Sequence, residues 1–200
     1  RRHCRAAVVI DHDTIADFAV KALSRDESER IERMGKRRQQ SFLAARLALK
    51  FLSRKLSGDD RTTPASEIHT MMADRIHPHC PILGGRDTAF CSVSHDCRYV
   101  IAVADDAEIG VDVERISDKI LKARHVYMGK EEMTLTEASP LGVLDASIRV
   151  WSIKEGVSKA TDMPLEKTWN QISVGDVGRT ASRLNVEGIG YAAYHDTIDD

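Results

Sequence analysis

The run Phe42-Leu43-Ala44-Ala45-Arg46-Leu47-Ala48-Leu49-Lys50-Phe51-Leu52, with Gly58 shortly after it, constrains this chain more than any other stretch. Ala and Leu are strong helix formers, and Gly ends helices readily. A helix apolar on most of its surface has to be covered, so the remaining chain must supply a layer around it. Candidate strands are available: residues 6–10 form a Val- and Ile-rich run bounded by Asp11 and Asp13, and residues 90–95 and 99–103 alternate on either side of Asp96-Cys97-Arg98, which fits either a hairpin-like strand pair or a strand leading into a short helix. Residues 169–174, 182–186 and 189–194 read as three further short strands joined by Gly-containing turns. An exposed, charge-rich helix is expected over 26–34, and helical patterns return over 120–127 and 144–160. Residues 58–87, with Pro64, Pro78, Pro81 and Gly84-Gly85, should be loops with a short helix near Met71. This order predicts an α+β fold in two comparable halves, 1–116 and 117–200, meeting near residues 116–122. No low-complexity segment or short tandem repeat is evident.

Two hundred residues are ample for a buried core. Lys and Arg against Asp and Glu give 29 − 31 = −2, so global charge does not point to nucleic acid as a partner. Basic residues are nevertheless concentrated at Lys36, Arg37, Arg38, Arg46, Lys50, Arg54 and Lys55, which form either an anion-contacting segment or a solvated helix face. Cys4, Cys80, Cys91 and Cys97 have neither Cys-x-x-Cys nor zinc-like spacing, and free thiols in a reducing cytoplasm are expected. His69, His77 and His79 could mimic a metal cluster, but their loop context and the lack of a fourth ligand argue against zinc. No signal peptide or membrane-spanning apolar run is present, so a soluble cytoplasmic protein without a membrane partner is expected. The Arg1-Arg2 start without Met is what an excised domain or a trimmed chain would show.

Two short stretches carry candidate chemistry. Ile109-Gly110-Val111-Asp112-Val113-Glu114 alternates with period two, the pattern of a half-buried strand that would put Asp112 and Glu114 on one face. Trp151-Ser152-Ile153-Lys154-Glu155-Gly156-Val157-Ser158-Lys159 reads as a helix with Trp151, Glu155 and Lys159 at spacings of four, hence on one side. Two strand acids and a helical Glu155 make an all-oxygen donor set suited to magnesium with phosphate oxygens and water; Lys154, Lys159 and His95 could be phosphate counter-charges. An exposed acidic edge facing Lys–Glu helix pairs accounts for the same spacing equally well. Trp151, Met71, Met72, Met128 and Met133 read as packing residues.

Taken in order, Ser92-Val93-Ser94-His95-Asp96, Ile109-Gly110-Val111-Asp112-Val113-Glu114 and Trp151-Ser152-x-Lys154-Glu155-x-x-x-Lys159 resemble the signature of the 4′-phosphopantetheinyl transferase superfamily, in its single-chain, surfactin-synthetase-activating type. The resemblance covers roughly residues 36–160. It implies two similar α+β halves related by a pseudo-twofold, with the active site in the cleft between them. It further implies magnesium-dependent transfer of the phosphopantetheine arm of coenzyme A to a serine of an apo acyl, polyketide or peptidyl carrier protein, releasing adenosine 3′,5′-bisphosphate. On that resemblance Asp112, Glu114 and Glu155 hold the metal, Glu155 is the candidate base, and Lys159 stabilises the pyrophosphate. Ser94 and His95, together with Lys36 and Arg46 of a basic helix, reach the 3′-phosphate. The protein would be a monomer or a domain of a larger synthase.

The sequence also departs from the family's pattern. His79-Cys80-Pro81 stands where a Gly-Lys-Pro element usually receives adenine, Asp96 adds a negative charge beside the Ser-His element, and Gly156 replaces a common Ala or Ser. A final edge element after residue 194 is also expected to be missing. These departures leave room for a second reading, a transferase-like docking domain of a larger synthase with weak or no turnover. A third is a metal-dependent phosphohydrolase using the same acids. Carrier recognition is expected at Lys119, Lys122, Arg124 and Lys130, with Tyr127 and Met128 adding apolar contact.

Overall fold

The computed structural model describes residues 4–58, 61–72, 77–84 and 88–198, with backbone alone at Asp17. The chain divides into two compact units, Arg1–Val113 and Glu114–Asp200.

In the first unit the Ala- and Leu-rich run becomes the centre of a longer helix. Helix α1 covers Arg25–Ile31 and helix α2 Lys36–Leu56. Beyond its C-cap Ser57 stands Gly58 at φ +75°, a left-handed position that glycine occupies without a Cβ penalty. Strands β1 (Ala6–Asp11), β2 (Cys80–Pro81), β3 (Thr88–His95) and β4 (Tyr99–Asp105) form an antiparallel sheet in the order β1-β4-β3-β2. Ala44, Ala48, Leu49 and Leu52 of α2 cluster with Val100, Ala102 and Ala104 of β4, all of them without exposed surface. Small residues on both sides let the helix axis lie close to the sheet. The hairpin between β3 and β4 is closed by Asp96, whose Oδ1 accepts the backbone N–H groups of Arg98 (2.7 Å) and Tyr99 (2.6 Å). Among the described residues no helix forms near Met71, which instead makes an isolated antiparallel bridge to Pro78, preceded by a 3-10 turn at Ala65–Glu67. Gly85 of the expected Gly84-Gly85 turn lies outside the described residues.

The second unit contains α3 (Lys119–Tyr127), α4 (Lys130–Glu137), α5 (Val143–Thr161), α6 (Leu165–Gln171), β5 (Ile172–Val177), β6 (Ala181–Val186) and β7 (Ile189–Tyr194). Its antiparallel sheet has the order β5-β6-β7. Ala146, Val150 and Ile153 of α5 pack in one cluster with Ile172, Val174, Leu184 and Val186. Glu187 (φ 51°) and Gly188 (φ 90°) both turn left-handed at the β6–β7 hairpin, the turn whose twist matches paired strands. Residues 169–171, expected as the start of a strand, finish α6, and the strand begins only at Ile172. Antiparallel sheets with helices packed against them make the fold α+β, as the element order predicted.

One device recurs in both units. In the first, Glu27 at the third position of α1 accepts the Ser24 N–H (2.8 Å), the Thr70 N–H (3.2 Å) and Lys50 Nζ of α2 (2.8 Å), with both charged side chains buried. In the second, Glu132 at the third position of α4 accepts the Gly129 N–H (3.0 Å), the Val174 N–H (3.0 Å) and Lys154 Nζ of α5 (2.7 Å). The counterparts are 27 and 132, 50 and 154, 70 and 174. Ser24-x-x-Glu27 is a capping-box pattern; in the second unit Gly129 has no side chain to complete it, and only the backbone-to-Glu half remains.

Candidate functional site

The stretch 109–114, expected as a strand, joins no ladder; its apolar residues are only half-buried and Glu114 is exposed. The reason lies on β3, where Ser92 and Ser94 are buried. Ser92 Oγ accepts the Val111 N–H at 3.1 Å, and Ser94 Oγ donates to Asp112 Oδ1 at 3.0 Å. Side-chain hydroxyls thus fix residues 111–112 where a neighbouring strand would have used backbone groups. His95, one residue beyond Ser94, closes β3 at an exposed position.

The other residues expected at a nucleotide phosphate are spread along α2. Lys36 is the exposed first residue of the helix, and Arg46 lies about 15 Å further along its axis. Arg46 is 7% exposed, its guanidinium 5.1 Å from the centre of the Phe42 ring and its Nη1 donating to Thr70 O at 2.7 Å. Burial lowers its pKa to about 10, partly opposed by the charge of Glu27. In the expected adenine segment, Cys80 is fully buried against Ser53 Oγ (3.4 Å), and burial together with His69 holds the His79 imidazole below its ordinary pKa.

In the second unit, α5 carries Trp151, Glu155 and Lys159 on one side. Glu155 Oε2 lies 4.0 Å from Lys159 Nζ, with both side chains partly exposed. Trp151 Nε1 donates to Glu114 Oε1 at 2.8 Å, which joins the second acid of 109–114 to the helix that bears Glu155. Trp151, expected as a packing residue that orients the helix, also makes this polar contact; the sequence signal for it is the position one turn before Glu155.

Two expectations differ from the structure. Lys154 is not a phosphate counter-charge: it is fully buried, and its ammonium donates to Tyr127 O (2.6 Å), Glu132 Oε2 (2.7 Å) and Trp169 O (3.3 Å). Those three bonds use every N–H that a lysine has. Burial pulls its pKa down and Glu132 opposes that shift. Tyr127 and Met128 are core residues, 1% and 7% exposed, so they offer no docking contact. Arg124 is held by Glu137 at 2.6 Å, while Lys119, Lys122 and Lys130 are exposed. Asp96, whose carboxylate follows His95 in the chain, uses Oδ1 to close the β3–β4 turn.

Among the described residues no group of three or more His, Cys, Asp or Glu side chains is arranged to hold a metal ion. Glu114 and Glu155 in the second unit, and Asp112 at the end of the first, offer only carboxylate oxygens. That chemistry suits magnesium, which takes one or two carboxylates and fills its other positions with water and phosphate oxygens. No helix among the described residues is long and apolar enough to cross a membrane.

Residues 108–197 match the family model of the 4′-phosphopantetheinyl transferase superfamily. The matched segment contains Asp112, Glu114, Glu155 and Lys159, and leaves Lys36, Arg46, Ser94 and His95 outside it. The match supports a transferase enzyme, with its acids and lysine in the matched part. No curated protein matches the chain. Among solved structures, Thermotoga maritima holo-[acyl-carrier-protein] synthase aligns at 18% identity and a TM-score of 0.37, over 55% of this chain and 68% of that one.

Proposed function

We propose that the chain is a phosphopantetheinyl transferase of the single-chain, surfactin-synthetase-activating type, which moves the phosphopantetheine arm of coenzyme A onto a serine of an apo carrier protein. The observation that carries this reading is the grouping of Glu114, Trp151, Glu155 and Lys159 about α5, inside the segment that matches the superfamily. Glu155 would accept the proton of the carrier serine hydroxyl, directly or through a water. The serine oxygen would then form a bond to the phosphorus that bears the pantetheine arm. The bond from that phosphorus to the bridging oxygen breaks, and adenosine 3′,5′-bisphosphate leaves with the electron pair. Lys159 supplies positive charge where the leaving phosphate gains negative charge. Glu114 and Glu155, with Asp112, would hold magnesium, which when bound neutralises pyrophosphate charge. Ser94, His95, Lys36 and Arg46 remain the proposed side for the 3′-phosphate.

Incubation with coenzyme A, magnesium and apo carrier should add the mass of the arm to the carrier. Glu155→Gln should abolish that addition without changing the circular dichroism spectrum; full activity in this variant would remove Glu155 from the chemistry. The exposed Lys119, Lys122 and Lys130 are the proposed carrier surface, attractive to an acidic helix. Lys122→Glu should raise KM for carrier several-fold and leave KM for coenzyme A unchanged, and unaltered carrier kinetics would move docking elsewhere.

A second reading, a docking domain with weak turnover, is favoured by the burial of Cys80 and Arg46 in the half expected to bind coenzyme A. Calorimetry separates the two. A docking domain binds carrier but shows no metal-dependent affinity for coenzyme A.

A further inference from the structure

We infer that Trp151 is a positioning residue for the Glu114 carboxylate, an inference that rests on the metal-binding reading above. Glu114 lies in a stretch with neither helix nor strand, so its backbone alone gives the side chain little constraint. The indole supplies that constraint. Its only polar group is the N–H, which donates to Glu114 Oε1 at 2.8 Å, a short bond strengthened by the carboxylate charge.

The indole is itself held by aromatic neighbours. The Tyr127 ring meets it edge-on, with centroids 5.0 Å apart and planes at 76°, and Tyr127 is anchored through its hydroxyl to Ser147 O at 3.2 Å. Trp169 lies 6.4 Å away at a 40° tilt. A ring so packed has few rotamers open to it, so the direction of its N–H is fixed before any ligand arrives. Because Trp151 and Glu155 stand one helical turn apart on α5, the same helix sets the positions of both acids of the second unit. Hydrogen bonds to a ligating carboxylate of this kind commonly change metal affinity ten- to a hundredfold, roughly, when removed.

The test uses manganese as the probe ion and two variants. Trp151→Phe keeps a ring in place and deletes the N–H. By calorimetry with coenzyme A present it should bind Mn2+ about tenfold more weakly, and its thermal midpoint should stay near that of the parent. The second variant, Trp169→Phe, leaves Trp151 as the sole tryptophan of the chain. Trp169 Nε1 is buried with no hydrogen-bond partner among the described residues, so this change removes no such bond. In that background paramagnetic Mn2+ should quench Trp151 emission, and excess Mg2+ should restore it.

If the parent binds Mn2+ and Trp151→Phe binds it within twofold of the parent, the positioning role is overturned and the metal reading stands. Absence of quenching in Trp169→Phe protein that still binds Mn2+ also overturns it, whether or not Trp151→Phe folds. A parent that binds no Mn2+ in the presence of coenzyme A sinks the metal reading, and this inference with it.

Discussion

Helices α2 and α5 perform the same structural task in the two units and differ in what they present beside it. Each carries a buried lysine, Lys50 or Lys154, closed by a glutamate from the third position of a short preceding helix. Under the shift that pairs those lysines, Leu47, Phe51 and Lys55 stand opposite Trp151, Glu155 and Lys159. In the first unit, Phe51 is 53% exposed and Lys55 Nζ donates to Ala7 O on β1 at 3.1 Å. In the second, the corresponding positions hold the proposed base and phosphate-stabilising cation. The interior polar pair is thus common to both units, while the proposed base and its neighbouring cation belong to one. Taking two charges out of water is costly, and the attraction between them offsets that cost only when further hydrogen bonds are satisfied. Both units meet this condition with backbone partners: Ala65 O and Ile68 O for Lys50, Tyr127 O and Trp169 O for Lys154.

The comparison breaks most readily at the lysines. Lys154→Met leaves Glu132 charged and unpaired in the interior and should destabilise the protein by about 3–5 kcal/mol, as should Lys50→Met in the first unit. Denaturant unfolding measures both. A much smaller cost for one of them would mean that the two pairs are not equivalent. Replacing both partners of a pair by apolar residues should not recover the loss, because each glutamate also holds two backbone N–H groups and each lysine two backbone carbonyls, which would be left without partners.

A sharper contrast is expected at the next turn. Lys159→Ala should lower kcat for carrier loading by about a hundredfold, the scale of losing one positioned group that stabilises developing charge. Lys55→Ala, at the matching position of α2, should leave kcat unchanged; equal losses would erase the functional distinction between the helices.

A pH-dependent effect is expected at His195, which follows β7. Its Nε2 lies 2.6 Å from Ser182 Oγ and its backbone N–H is bonded to Thr180 O at 2.9 Å. Burial, aided by Arg149 and opposed by Asp145, lowers its pKa from 6.5 to about 4. The unfolded chain therefore takes up the proton first as pH falls. The contribution of His195 to stability is complete above about pH 6.5 and is lost progressively as pH falls toward 4. His195→Gln should flatten that part of the stability profile, and an unchanged slope between pH 6.5 and 4 would assign the dependence to other groups.

Glu27 is depressed for a different balance of reasons. Burial by itself would raise its pKa, but hydrogen bonds from Lys50, Thr70 and the Ser24 N–H outweigh that and hold it below the ordinary carboxylate value. Its stabilising effect is present above that ordinary value and fades as pH falls through the lowered one.

Features whose signals are local were legible in the amino-acid order alone. The Ala- and Leu-rich helix, the alternation of residues 90–95, Ile189–Tyr194 as a strand and the helical face of Trp151, Glu155 and Lys159 all follow from propensity and periodicity over a few residues. Tertiary structure decided the rest. Period two over 109–114 did not produce a ladder strand, because Ser92 and Ser94 hold residues 111–112 through their hydroxyls. A lysine beside Glu155 looks like a phosphate ligand in one dimension. Only packing shows that Lys154 points inward to Glu132, and that Tyr127 and Met128 lie in the core instead of at a surface. The repeated ion pair was invisible to pattern reading because its partners are distant in sequence and the capping serine of one unit is a glycine in the other. Side-chain direction and burial depend on what the rest of the chain places nearby, which no local pattern contains.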